Sequence, residues 1–181
     1  MTERKGYWLH TYLGHRFWVL DPRPEDLHVE DIAHALALQC RWNGHVSSFY
    51  SIAQHCVLMS QHVPEEDALW ALLHDAPEAY LGDVVRPLKV AMPIYNAIET
   101  KVMTAVCERY GLAPDMPKSV HEADNRILEN ERIRLKPDLA DDWRPMTKRM
   151  EPLPFELEPW SWQRAKEEYL QRFRALCSDF E

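Results

Sequence analysis

Proline and glycine punctuate this chain in a way that leaves room for little except short helices. The sequence holds 13 prolines and only 5 glycines among 181 residues. Proline fixes φ and removes a backbone donor, so it ends helices and stays out of central strands. Between the prolines, apolar residues recur mostly with helical period. A first helix is expected from about His28, with Ile32, Ala35, Leu36, Leu38 and Gln39 along one stripe and Asn43-Gly44 as its stop. Ser51 is placed to cap a second, in which Ile52, His55, Cys56 and Met59 share a face and which Pro64 ends. Glu65, Glu66 and Asp67 put negative charge at the start of a third, which runs through Leu69, Trp70, Leu72 and Leu73 to His74-Asp75. Residues 94–110, 119–135 and 160–176 read as three more helices, and 137–159, with its five prolines, as a connecting arm. The exception is 6–20, where Tyr7, Trp8, Leu9 and Tyr12, then Phe17, Trp18 and Val19, flank Leu13-Gly14-His15 as in a short β-hairpin. Asp21-Pro22-Arg23-Pro24 closes that hairpin.

The expected fold class is therefore all-α with a small N-terminal β-hairpin. One domain over 1–181 accounts for the length, with hairpin and linker at 1–26 and arm plus terminal helix at 137–181. Lys plus Arg number 21 against 29 Asp plus Glu, a net charge of −8, which argues against coating DNA or RNA. The longest purely apolar run, 68–73, is far short of the ~20 residues a membrane helix needs, and the first ten residues carry no apolar signal region. Cys40, Cys56, Cys107 and Cys177 form no CxxC pair, so neither a zinc ribbon nor a disulfide framework is expected. The expected compartment is a reducing cytoplasm.

Three separated pieces carry chemistry. His55 lies in an apolar helical face, His74-Asp75 ends the most hydrophobic helix, and Asp124 lies in an amphipathic one. Two imidazoles and two carboxylates suit a divalent transition metal. Adjacent helical residues point about 100° apart, so His74 and Asp75 can share an ion only if it sits between their directions. Pro77 would clash with the Leu73 carbonyl inside a helix, so a kink or end is expected near Ala76. Alone, His55 reads as a core histidine, His74 as a helix-end histidine and Asp124 as a solvated residue that His121 or Glu122 could replace. His10, His15, His28, His34, His45 and His62 read as ordinary histidines, Trp70 and Leu73 as core, and Trp160 and Trp162 as packing residues or part of a subunit contact.

The order His55, His74-Asp75, Asp124 resembles the H…HD…D signature of HD-domain metal-dependent phosphohydrolases. Arg41-Trp42, the run from Phe49 through Gln54 to His55, and the run from Leu73 through Ala76-Pro77-Glu78 to Gly82-Asp83 are similar to bacterial 5′-deoxynucleotidases. They are closer still to small phage and prophage relatives that include deoxyadenosine triphosphate triphosphohydrolases. The likeness covers roughly 27–135. It implies an HD-domain helical bundle in which His55, His74, Asp75 and Asp124 ligate a divalent metal (Co, Mn, Zn, Mg, Ni or Fe). It implies that Glu78 and Asp83 are catalytic, that Arg41 grips phosphate, and that Trp42 packs on the sugar and disfavours a 2′-hydroxyl. It also implies a homo-oligomer.

The residue types agree with those roles. A metal lowers the pKa of bound water towards ~7, a carboxylate relays a proton, and arginine presents a planar donor fork to phosphate. Lys89 is a candidate second phosphate contact, with a solvated lysine as its plain alternative, and a longer basic lining beyond Arg41, for example Arg86 or Lys89, would favour a triphosphate. The expected function is cleavage of the 5′ phosphoester of a deoxynucleotide, releasing phosphate from a monophosphate or triphosphate from a dNTP. The partner is thus a small nucleotide rather than a nucleic-acid polymer or a membrane. The alternatives are another nucleotide substrate, such as guanosine tetraphosphate or a cyclic nucleotide, and a non-catalytic regulatory module. The lack of a Gly-Tyr-Pro after the HD pair leaves a cyclic dinucleotide unsupported.

Overall fold

The computed structural model of the chain describes residues 3–136 and 150–177. Within them the chain is mostly helical, with one small antiparallel hairpin at the N-terminal end. The hairpin pairs β1 (Leu9–His10) with β2 (Arg16–Phe17), Leu9 opposite Phe17. Phe17 is its anchor, fully buried and stacked on Tyr80 with ring centroids 3.9 Å apart.

The helices are α1 (Val29–Leu38), α2 (Ile52–Ser60), α3 (Ala68–Leu73), α4 (Glu78–Leu81), α5 (Arg86–Lys89), α6 (Pro93–Tyr110), α7 (Lys118–Leu135) and α8 (Trp162–Leu176). Helix α2 is the central rod. Ser51 caps it by accepting the Gln54 N–H at 3.1 Å, as its sequence position predicts. Nearly every residue of α2 is buried, because α3, α8, α1 and α7 pack around it. Polar residues in such a rod need internal partners. Gln54 finds them in the 150–161 segment, donating to the Glu158 carbonyl at 2.7 Å and accepting the Trp160 N–H at 2.8 Å. Asn130 of α7 does the same for Leu153 and Phe155. The described part of the arm is thus a strap fastened to α2 and α7, while 137–149 lies outside the described residues.

The main core gathers Leu36, Ile52, Val57, Leu72, Leu73, Val106, Tyr169 and Phe173. Each large side chain of this kind contributes about 1.5–3 kcal/mol by leaving water. Tyr169 is fully buried and satisfies its hydroxyl on the Leu72 carbonyl at 2.8 Å.

Several helix ends fall elsewhere than the sequence predicts. Helix α1 stops at Leu38, before Asn43-Gly44, because Gln39 turns extended and Cys40 forms a β-bridge with Ser51. Arg41–Gly44 then makes its own tight turn, with Trp42, Asn43 and Gly44 all at positive φ. Helix α2 ends at Ser60, ahead of Pro64. Helix α3 ends at Leu73, one turn ahead of Pro77, so His74 to Pro77 form a turn instead of continuing the helix. The missing Pro77 N–H would have bonded the Leu73 carbonyl, and the Ala76 N–H takes that carbonyl at 2.9 Å instead. Among the described residues, no helix is long and apolar enough to cross a membrane.

Candidate metal centre

That early break in α3 shapes the site. The turn lets His74 and Asp75, neighbours in sequence, both face the middle of α2, where His55 sits fully buried. Side-chain ligand atoms of His55, His74 and Asp75 all lie within 4.8 Å of one another, and this group could hold a metal ion. Asp124, on α7, reaches the same place, its Oδ1 3.3 Å from His55 Nε2. Asp75 Oδ2 lies 3.1 Å from His74 Nε2 and 3.8 Å from His55 Nε2.

Which imidazole nitrogen faces the centre is fixed from behind. His74 Nδ1 lies 2.8 Å from the Ala71 carbonyl, an acceptor, so Nδ1 carries the proton. His55 Nδ1 lies 2.8 Å from Glu131 Oε1, which sets the same tautomer. Both Nε2 atoms are buried and, among the described residues, face the carboxylate oxygens of Asp75 and Asp124 without a well-aligned hydrogen bond. Buried polar atoms of this kind are rare unless a ligand completes them. Two Nε2 lone pairs converging beside carboxylates, each ring oriented through its other nitrogen, match the usual arrangement of imidazole metal ligands.

Charge in the centre is finely divided. With no ion in place, burial disfavours the ionised form of Asp75, but the positive charge that His74, His55 and Arg41 carry when protonated outweighs it and holds the carboxyl well below its ordinary range. Asp124 behaves alike, burial being overcome chiefly by His55, and is lowered to about 2. Glu78, the first residue of α4, moves the other way. Burial, then the charges of Asp75 and Asp83, raise its carboxyl well above the usual value against the pull of Lys89. Asp83 is also raised by burial, with Asp75 adding to it and Arg41 opposing. Gly82 enables this placement, because its φ of 80° turns the chain out of α4 and delivers Asp83.

Arg41 and Trp42 occupy the tight turn after α1. Arg41 NH1 lies 3.4 Å from Asp75 Oδ2 and its Nε 3.1 Å from Glu131 Oε1. Trp42 has a left-handed backbone, φ 59° and ψ 28°, a conformation that costs on the order of 1–3 kcal/mol in a bulky residue and clusters at functional sites. Its indole N–H donates to Glu131 Oε2 at 2.8 Å. Lys89 is drawn to Glu99 at 2.7 Å and to Glu78 at 3.5 Å, and it points to carboxylates of its own chain. Arg86 is exposed.

The structure thus brings together His55, His74, Asp75 and Asp124, with Arg41 beside them and Glu78 and Asp83 near enough to feel the Asp75 charge. Sequence reading passed over Gln39 and Glu131. Glu131 carries a legible signal: it follows Asp124 by seven residues, two turns on the same face of α7.

No family model matches the chain. Over 133 residues it is 44% identical to the uncharacterized protein YfdR of Escherichia coli (strain K12), covering 74% of this chain and 75% of YfdR. The chain belongs to the YfdR family. A second relative of this YfdR-family chain is the uncharacterized protein RCAP_rcc00048 of Rhodobacter capsulatus, 38% identical over 129 residues and 66% of each chain.

Proposed function

We propose that this protein is a metal-dependent phosphohydrolase of the HD-domain class, cleaving the 5′ phosphoester of deoxynucleotides. The observation that carries the reading is the convergence of two buried imidazole Nε2 atoms on the Asp75 carboxylate, with Asp124 alongside. His55, His74, Asp75 and Asp124 would hold the ion. A divalent metal there supplies Lewis acidity towards a phosphoryl oxygen and a water acidified towards pH ~7.

The chain's own residues supply the rest. Arg41 is half-buried beside the centre and presents a fork for phosphate oxygens. Glu78 keeps its proton more tightly than an ordinary carboxyl, which suits a general acid. It gives that proton to the 5′ oxygen as the phosphorus–oxygen bond breaks. The water whose oxygen joins phosphorus loses its proton to Asp83, the second candidate catalytic carboxylate, so one proton is given and one is taken up. Trp42 is a rigid wall, and a wall where a 2′-hydroxyl would sit selects deoxyribose by exclusion. Lys89, already engaged by Glu99 and Glu78, supports a short phosphate rather than a triphosphate.

The test is turnover of purified protein with Co²⁺ or Mn²⁺ on panels of dNMPs, dNTPs and the matching ribonucleotides. The expected result is release of inorganic phosphate from dNMPs, abolished by chelator and restored by metal. Triphosphate release from dNTPs would move the substrate to the longer chain. No turnover on any panel would remove the phosphohydrolase reading.

A further inference from the structure

We propose that Glu131 is a positioning residue that locks the His55 imidazole and the Arg41–Trp42 turn into one unit, so that metal affinity and the substrate-facing turn are coupled. The inference rests on the metal reading above and adds a residue to it. Glu131 has no exposure to solvent, and its oxygens face His55 Nδ1, Arg41 Nε and Trp42 Nε1 rather than the Nε2 atoms and Asp75. Its two oxygens face three residues on two separate elements, α2 and the Arg41–Gly44 turn. Oε1 accepts His55 Nδ1–H from α2 at 2.8 Å and faces Arg41 Nε at 3.1 Å, and Oε2 accepts Trp42 Nε1–H at 2.8 Å.

One carboxylate therefore fixes the tautomer and direction of a ligand and, through its other oxygen, holds a tryptophan whose backbone is left-handed. The far side of Trp42 is fastened to the same helix end. Lys136 Nζ sits 4.3 Å above the indole and donates to the His45 carbonyl at 2.5 Å. Any rotation of Glu131 that serves the turn at the expense of His55, or the reverse, is felt at the other end.

Glu131→Gln keeps size and shape but replaces one acceptor oxygen by an NH₂ group, so it cannot serve His55, Arg41 and Trp42 together. Trp42→Phe removes only the indole donor and touches no ligand atom. Co²⁺ or Mn²⁺ affinity of the full chain, measured by calorimetric titration with circular dichroism as the folding control, is the readout. Glu131→Gln is expected to weaken metal affinity 10–100-fold, as loss of a partner behind an imidazole ligand does elsewhere. Trp42→Phe is expected to weaken it severalfold in the natural background and to add nothing in the Glu131→Gln background. Unchanged affinity in folded Glu131→Gln, or fully additive effects, would overturn the inference and leave the metal reading intact. If Glu131→Gln does not fold, Trp42→Phe alone decides, and natural affinity in it overturns the coupling. A natural chain that takes up neither metal overturns both readings.

Discussion

Gln39 holds Glu78 from the end of α1. Its Nε2 donates to the Glu78 main-chain carbonyl at 3.0 Å, and its Oε1 accepts the Asp83 N–H at 3.2 Å. One amide thus spans the start of α4 and the residue after its terminal glycine, and the spacing of the two candidate catalytic carboxylates depends on it. Neither carboxylate is touched directly, so the amide acts by placing their backbone.

Gln39→Leu, similar in bulk and without the amide, is expected to lower kcat about 10- to 100-fold, the order of loss for small misplacements of catalytic groups. Metal affinity should stay within about twofold, since the Gln39 amide bonds the backbone of Glu78 and Asp83 and not an imidazole nitrogen. Steady-state kinetics on the best dNMP, paired with a metal titration, measure both. A fall in metal affinity as large as the fall in kcat would assign Gln39 a general structural role.

Asp75→Ala removes the carboxylate that lies near both Nε2 atoms. The natural chain at a metal concentration 100 times the dissociation constant should gain about 2.7 kcal/mol of stability. For a chain of this size that is a rise in Tm of roughly 5–10 °C. Asp75→Ala is expected to show no metal-dependent rise and no turnover. Differential scanning fluorimetry with and without Mn²⁺ checks it, and a preserved rise would move the ion away from Asp75.

What the sequence displayed and what it concealed divide along physical lines. Helices α6, α7 and α8 start within two residues of their expected positions, because period and capping are local properties. The meeting of His55, His74 and Asp75 was legible through a motif order. The end of α1 was displaced by an interaction that local rules weigh poorly, whereas the break before α4 was legible in Pro77 and falls at Leu73, a few residues ahead of Ala76. Cys40 pairs across to Ser51, and Pro77 exerts its clash four residues upstream at Leu73. Gln39 was missed because its partner lies 39 residues away, and Glu131, whose partner His55 lies 76 residues away, left only its seven-residue spacing from Asp124 as a local sign. Lys89 was a candidate phosphate contact on charge alone, and only the fold brings Glu99 and Glu78 to it.

Trp42→Ala is expected to relax the choice between deoxyribose and ribose. Removing one excluding wall in a pocket is worth roughly 10- to 200-fold in discrimination. The ratio of kcat/KM for a dNMP over its ribonucleotide should fall by that order. The fall should come mainly from faster ribonucleotide turnover, with circular dichroism unchanged. An unaltered ratio would take the sugar wall away from Trp42.

Glu78→Gln separates the acid from its charge. Burial and then Asp75 raise the folded-state carboxyl well above its ordinary value. The folded state therefore keeps that proton longer than the unfolded chain does. Stability linked to Glu78 is full below the ordinary carboxylate range and is lost as pH rises through the raised folded value. The amide has no proton to lose, so the metal-free Glu78→Gln chain should match the natural one near pH 4 and exceed it in Tm by pH 8. Lys89 keeps its partner Glu99 in the variant. Turnover should fall at least 100-fold, the lower end of what general acid–base catalysis contributes, while the metal-induced rise in Tm persists. Melting curves of the two metal-free proteins from pH 4 to pH 8 test the sign, and a natural chain that gains on the variant as pH rises would show that Glu78 is stabilised as a carboxylate.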